Sequence, residues 1–173
     1  QPVKEISELL QAWPNCHLHV DATQAVGKIP VSFEGVDTMS LTAHKFYGLN
    51  GIGLLLQRRK LALEPLIHGG ESTTIYRSGT PTVALAASAL EAAVGELPAR
   101  TARVKEANAF LRDALSKYPK VHINSPENAI PHILNLSVEN VKGTVFQREL
   151  DAEGVCVSVK SACSSDGLPS RAV

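Results

Sequence analysis

The chain is short of nearly everything that would mark a special environment. Its 173 residues carry only three cysteines, Cys16, Cys156 and Cys163, too few and too widely spaced for a disulfide framework. None belongs to a Cys-x-x-Cys pair, so a zinc site has little support and no metal is expected. No apolar run approaches the roughly 20 residues that a bilayer span requires, so no membrane association is expected. Neither sign of charge is in excess. Lys+Arg and Asp+Glu both total 17, which leaves no net field to steer nucleic acid or an acidic membrane toward the surface. The opening Gln1-Pro2-Val3-Lys4-Glu5 has no initiating Met and no apolar core of a signal peptide, and it reads as the inside of a longer protein. No Gly-x-Gly-x-x-Gly follows a strand-like run, which argues against a dinucleotide-binding protein. Internal repeats and low-complexity tracts are also missing.

What is present is the composition of an ordinary globular protein, 44% hydrophobic and 20% charged. The length suffices for one substantial core or two small domains. Cys16 and Cys156 sit among apolar or strand-like neighbours and are expected as buried structural thiols. A reducing, cytoplasmic setting follows as the default.

Val3, Ile6, Leu9 and Leu10 fall at helical spacing before Pro14, which predicts a helix over 3–12. Residues 17–21 read as a short buried strand that ends on Asp21, and 37–42 as a second strand ending at Ala43-His44-Lys45. Gly48-Leu49-Asn50-Gly51 has turn chemistry, so the apolar run Ile52 to Leu56 is expected to return antiparallel to its neighbour. Helical patterns run from Pro81 to Leu97 and on to about Lys117, with Pro98 ending or kinking the first. Prolines 119, 126 and 131 then interrupt the chain. A strand over 133–138, a helix over 143–153 and a strand over 155–159 are expected to form a second unit of βαβ type. The order predicts an α/β fold. Residues 1–97 form part of a large domain with a mainly parallel sheet and an antiparallel strand, and 98–173 part of a smaller α/β C-terminal domain.

In open α/β sheets ligands sit at the carboxyl ends of strands, where this reading puts Asp21 and His44-Lys45. A strand-end lysine that is partly desolvated has its ammonium form disfavoured, and the neutral amine is the form that condenses with a carbonyl. Taken alone, a strand-end lysine is as a rule a solvated surface charge. A buried Asp21 would suit a pyridinium nitrogen, with Gln24 in reach from the following turn. An aspartate there serves equally as a turn cap. Thr42 and Thr80 read by themselves as strand or turn residues, and His44 as a structural histidine.

The run His19-Val20-Asp21-Ala22-Thr23-Gln24-Ala25-Val26-Gly27-Lys28, followed by Thr42-Ala43-His44-Lys45-Phe46-Tyr47-Gly48, closely resembles the cofactor region of cysteine desulfurases. These are class V members of the fold-type I enzymes that use pyridoxal 5'-phosphate. The resemblance continues through Gly51-Ile52-Gly53, His68-Gly69-Gly70 and Arg77-Ser78-Gly79-Thr80, and reappears at Ser161-Ala162-Cys163-Ser164-Ser165. It implies covalent attachment of the cofactor to Lys45, Asp21 on the pyridine nitrogen and Gln24 on the phenolic oxygen. Thr42 and His44 would contact the phosphate, and Thr80 the phosphate of a partner subunit's cofactor, which implies a homodimer. By the same resemblance residues 1–97 belong to the cofactor-binding large domain and 98–173 to the small domain that carries a catalytic cysteine loop.

That cysteine is Cys163. It lies in a small-residue loop, 160–167, expected to be exposed and mobile, and Lys160 nearby favours the thiolate. On chemistry alone a lone loop cysteine is an incidental thiol; the resemblance makes it the sulfur acceptor. The implied reaction converts L-cysteine to L-alanine, leaves a persulfide on Cys163, and passes its sulfur to an acceptor protein for iron–sulfur assembly, tRNA thiolation or another sulfur-containing cofactor. The family is longer. Its upstream phosphate loop and ring-stacking histidine, and its downstream carboxylate-binding arginine, have no counterpart here. Glu71-Ser72-Thr73-Thr74-Ile75 and Leu49-Asn50 also depart from the family pattern. Three alternatives stand beside this reading: a class V transaminase, a selenocysteine lyase, and a non-catalytic fragment that serves docking or dimerisation.

Overall fold

The computed structural model describes residues 1–70, 76–95 and 97–160, the side chain of Leu97 excepted. The expectations for the 71–75 segment and for the Cys163 loop therefore lie outside the described residues. The chain divides into two compact units, with the boundary after Thr101.

In the first unit, helix α1 (Val3–Leu10) precedes strands β1 (His19–Asp21), β2 (Thr38–Thr42) and β3 (Gly53–Gln57), and helix α2 (Val83–Val94) follows. The three strands form one sheet in the order β1-β2-β3. β1 and β2 are parallel, with Asp21 level with Ser40. β3 returns antiparallel along β2, with Thr42 level with Gly53. The expected topology is thus the observed one, and the mixed α/β class with it. β1 is less covered than expected, since only Val20 of its three residues is partly buried.

The middle strand carries the core. Met39 packs with Ala22 and Val36, joined by the partly buried Val3, Leu18, Val20, Val26 and Phe33. Thr38 is buried too, and its hydroxyl is matched by the rings of His17 and His19 at 2.9 and 2.8 Å. A second cluster lies just past the end of β2, where Ala43 and Phe46 are packed against Ala89 of α2. These two clusters fix both ends of the segment that carries Lys45.

Gly27 holds the two strand ends together. Its φ is +74°, and a Cβ added to it would stand 2.3 Å from Phe46 Cβ. Gly27→Ala therefore combines left-handed backbone strain with a clash against a buried aromatic ring. It is expected to destabilise the intact protein by about 2–4 kcal/mol, read as a lowered urea unfolding midpoint. An unchanged midpoint would show that the Gly27–Phe46 approach relaxes freely.

α3 (Leu97–Ser116) contains the unit boundary, and Pro98 sits in its first turn, where no intrahelical N–H is lost. The break between α2 and α3 is at Gly95, which caps α2 in an extended conformation. In the second unit, β4 (Val121–Ile123) pairs antiparallel with β5 (Leu136–Val138), and α4 (Gly143–Ala152) follows. Arg112 of α3 donates to the carbonyls of Ser125 and Pro126, pinning the proline-rich loop between the two strands. Two expectations are corrected here. Residues 155–159 form no strand, so the strand over 133–138 and the helix after it do not complete a βαβ unit; β5 pairs instead with β4, a strand that was not expected. Val155 and Val157 are exposed: an alternating apolar pattern makes a strand only where a neighbour supplies ladder hydrogen bonds. Cys16 and Cys156 are also exposed, contrary to the buried thiols expected. Among the described residues no helix is long and apolar enough to cross a membrane.

Candidate active site

Parallel pairing puts the carboxyl ends of β1 and β2 on one edge of the sheet, so Asp21 and the segment Thr42–Lys45 share that edge. β2 does not stop abruptly. It runs into a single 3-10 turn, Ala43–Lys45, whose first residue is buried and whose last two are exposed. Lys45 is therefore not desolvated as expected. The turn carries it past the strand end to the rim while Ala43 and Phe46 anchor the backbone on either side. Thr42 is oriented from two directions: its hydroxyl donates to the carbonyl of Ile52 at 3.0 Å and lies 3.1 Å from His44 Nδ1.

Asp21 is exposed rather than buried. Its Oδ1 accepts the N–H of Thr23 at 2.9 Å. Hydrogen bonds from the Thr23 side chain and N–H, with a smaller contribution from the charge of His19, hold its carboxyl below the usual aspartate range. A lowered folded-state pKa contributes stability that is present above the ordinary aspartate value and is lost as pH falls through the folded one. Asp21→Asn is thus expected to flatten the pH dependence of the unfolding midpoint on the acid side of the ordinary aspartate value. The effect is small, under about 1 kcal/mol, because solvent screens an exposed carboxylate. A steeper acid limb in the variant would contradict the assignment of the Thr23 bonds.

Gln24 follows on the turn after β1, and its Oε1 accepts a hydrogen bond from Lys28 Nζ. Lys28 is the lysine that burial affects: desolvation first, and then the nearby Lys45 charge, push its ammonium pKa down from the ordinary lysine value. Asp21, Gln24, Thr42, His44 and Lys45 thus lie at the ends of two neighbouring strands and on the turns that follow them. Thr80 lines a cavity of about 320 Å³ with Gly51, Ile52, Gly53, Arg77 and Leu85, and the Ile52 carbonyl there accepts the Thr42 hydroxyl.

The sequence pattern of the family described as "Aminotransferase class-V" matches residues 1–171. The chain belongs to that family. It is 38% identical over 175 residues to a protein named cysteine desulfurase IscS from Dictyoglomus turgidum, covering 97% of this chain and 44% of that one. It is 39% identical over 174 residues to a NifS/IcsS protein homolog from Lactobacillus delbrueckii subsp. bulgaricus, covering 95% of this chain and 45% of the relative. A solved structure of a NifS-like protein superposes with a TM-score of 0.82 at 35% identity, over 92% of this chain and 45% of that one. The chain therefore spans less than half the length of these class V relatives.

For a class V aminotransferase chain the donor set at the β1/β2 edge is chemically apt for pyridoxal phosphate. It offers a primary amine, a carboxylate held ionised, and a carboxamide. A hydroxyl and an imidazole stand beside them. Lys28 was missed as a member of this group, although its i,i+4 spacing from Gln24 was the available signal. Phe46 was missed as the anchor of Lys45, because an aromatic after a charged pair carries no mark of its burial.

Proposed function

We propose that this chain is part of a cysteine desulfurase that uses pyridoxal 5'-phosphate and L-cysteine. The observation that carries the reading is the parallel β1–β2 pairing, which gathers Asp21, Gln24, Thr42, His44 and Lys45 at one edge. The names of the similar proteins support it. When bound, the cofactor supplies an aldehyde for amines and a ring that accepts electrons from the substrate carbon. Lys45 would hold the cofactor through its amine, and the same amine, when free, would move the proton at the substrate α-carbon. Asp21, kept ionised by Thr23, would pair with the ring nitrogen, Gln24 would meet the phenolic oxygen, and Thr42 and His44 would hold the phosphate. Cys163, outside the described residues, takes the sulfur: its thiolate attacks the substrate sulfur, an S–S bond forms, and the C–S pair returns to carbon as alanine is protonated. Sulfur then passes to an acceptor protein, for iron–sulfur assembly, tRNA thiolation or another sulfur-containing cofactor.

In this reading residues 1–97 belong to the large cofactor domain and 98–173 to the small one. Thr80 serves a partner subunit's cofactor in a homodimer. The setting is the reducing cytoplasm. The test is to give the intact protein pyridoxal phosphate, L-cysteine and a thiol reductant. Equimolar alanine and sulfide are expected. Amino transfer to a keto acid without sulfide release would replace this reading with a transaminase.

A further inference from the structure

The turn after β1 is closed by two backbone hydrogen bonds, Val26 N–H to the Ala22 carbonyl and Ile29 N–H to that of Ala25, both at 3.0 Å. It folds Lys28 back over Gln24 through Gly27, whose φ is +74°. Lys28 is held there by its main chain as well as its side chain. Its carbonyl accepts the Thr101 hydroxyl, and the preceding Gly27 is seated directly on Phe46, the residue after Lys45. Its ammonium meets Gln24 Oε1 at 2.5 Å.

A glutamine amide has an acceptor end and a donor end of nearly equal shape, and an isolated exposed one turns over freely. An ammonium group has donors and no acceptor. It therefore draws the oxygen of Gln24 to itself and leaves the Nε2 hydrogens for whatever lies on the other side. The ionised phenolic oxygen of pyridoxal phosphate is an acceptor, and the donor end is the one that serves it.

We propose that Lys28 is a positioning residue that locks the Gln24 carboxamide with its N–H donors toward the cofactor's phenolic oxygen. The inference rests on the cofactor reading above and deepens it. A donor at that oxygen stabilises its anionic form and so lowers the pH at which the lysine-bound cofactor releases its proton. Without Lys28 the amide turns over and part of that stabilisation is lost. The other titratable groups round the turn are His44, Lys45, Asp21 and His19, and none of them is altered in the variants below.

The experiment is an absorbance–pH titration of the intact protein loaded with pyridoxal phosphate, for wild type, Lys28→Met, Lys28→Arg, Gln24→Leu and the Lys28→Met/Gln24→Leu double variant. Lys28→Met is expected to raise the titration midpoint by about one pH unit, a tenfold change in proton affinity. Lys28→Arg, which also only donates, should restore the wild-type midpoint. Gln24→Leu should shift the midpoint at least as far as Lys28→Met, and the double variant should go no further than Gln24→Leu alone. An unchanged midpoint in Lys28→Met overturns the proposal while leaving the cofactor reading intact. An equal shift from Lys28→Met in the Gln24→Leu background overturns it too, because Lys28 would then act through its charge alone. No Lys45-dependent absorbance in wild type would sink the cofactor reading and this inference together.

Discussion

Lys45→Ala in the intact protein is expected to abolish the visible absorbance that pyridoxal phosphate gains on binding, and to cut alanine formation at least about a thousandfold. In the proposed function the amine is both the attachment point and the group that would move the α-proton, so one substitution would remove two functions. Loss of folding does not confound the result. Lys45 is exposed on the last residue of the 3-10 turn, and that turn is fixed by the buried Ala43 and Phe46 rather than by the lysine itself. Surface changes of this kind stay within about 0.5 kcal/mol of wild type, so the urea midpoint should not move. The nearby Lys28 provides the internal rival, since it is the more desolvated amine of the pair. Absorbance that survives Lys45→Ala and disappears in Lys28→Met would transfer the attachment to Lys28.

The placement of Lys45 was legible because strand ends are legible. A run of apolar and β-branched residues that closes on Asp21, and another that closes on His44-Lys45, bring those groups to one edge once the strands are parallel. The short return through Asn50 and Gly51 fixed the antiparallel β3 by the same kind of local reasoning. Burial was another matter. Leu54, Leu55 and Leu56 of β3 are exposed on the outer strand of this sheet although their run is wholly apolar. Cys16 and Cys156 failed for the same reason: an apolar neighbourhood in sequence names an element, while burial depends on what packs over it. Asp21 lost its expected burial to Thr23, whose hydrogen bonds compete with the interior for the carboxylate. The strand expected over 155–159 did not form: strand propensity is realised only through a ladder, and among the described residues this segment has no strand partner. Gln24 was legible as a candidate residue of this edge, whereas Lys28 was not. A lysine after glycine looks like solvent until the Gly27–Phe46 approach brings it in beside Lys45.

Cys163→Ala is the substitution that separates sulfur transfer from the rest of class V chemistry. Absorbance of the bound cofactor should stay as in wild type, because Lys45 and its neighbours at the β1/β2 edge are untouched. Sulfide and alanine production from L-cysteine should fall at least about a thousandfold, since no nucleophile is left to take the substrate sulfur. Breaking the C–S bond returns its electron pair to carbon, so the sulfur must be bonded to an attacking group that brings a pair of its own. A thiolate does this near neutral pH. The serines at 161, 164 and 165 cannot stand in, because a hydroxyl gives up its proton far less readily than a thiol. Cys163→Ser is therefore expected to be as inactive as Cys163→Ala. Mass spectrometry of wild type after one turnover without reductant should find a single extra sulfur atom, carried on the peptide that contains Cys163. Full desulfurase turnover in Cys163→Ala would remove Cys163 from the reaction and require another sulfur acceptor. Undiminished amino transfer in the same variant, with no sulfide from wild type either, would make the protein a transaminase whose loop cysteine is incidental.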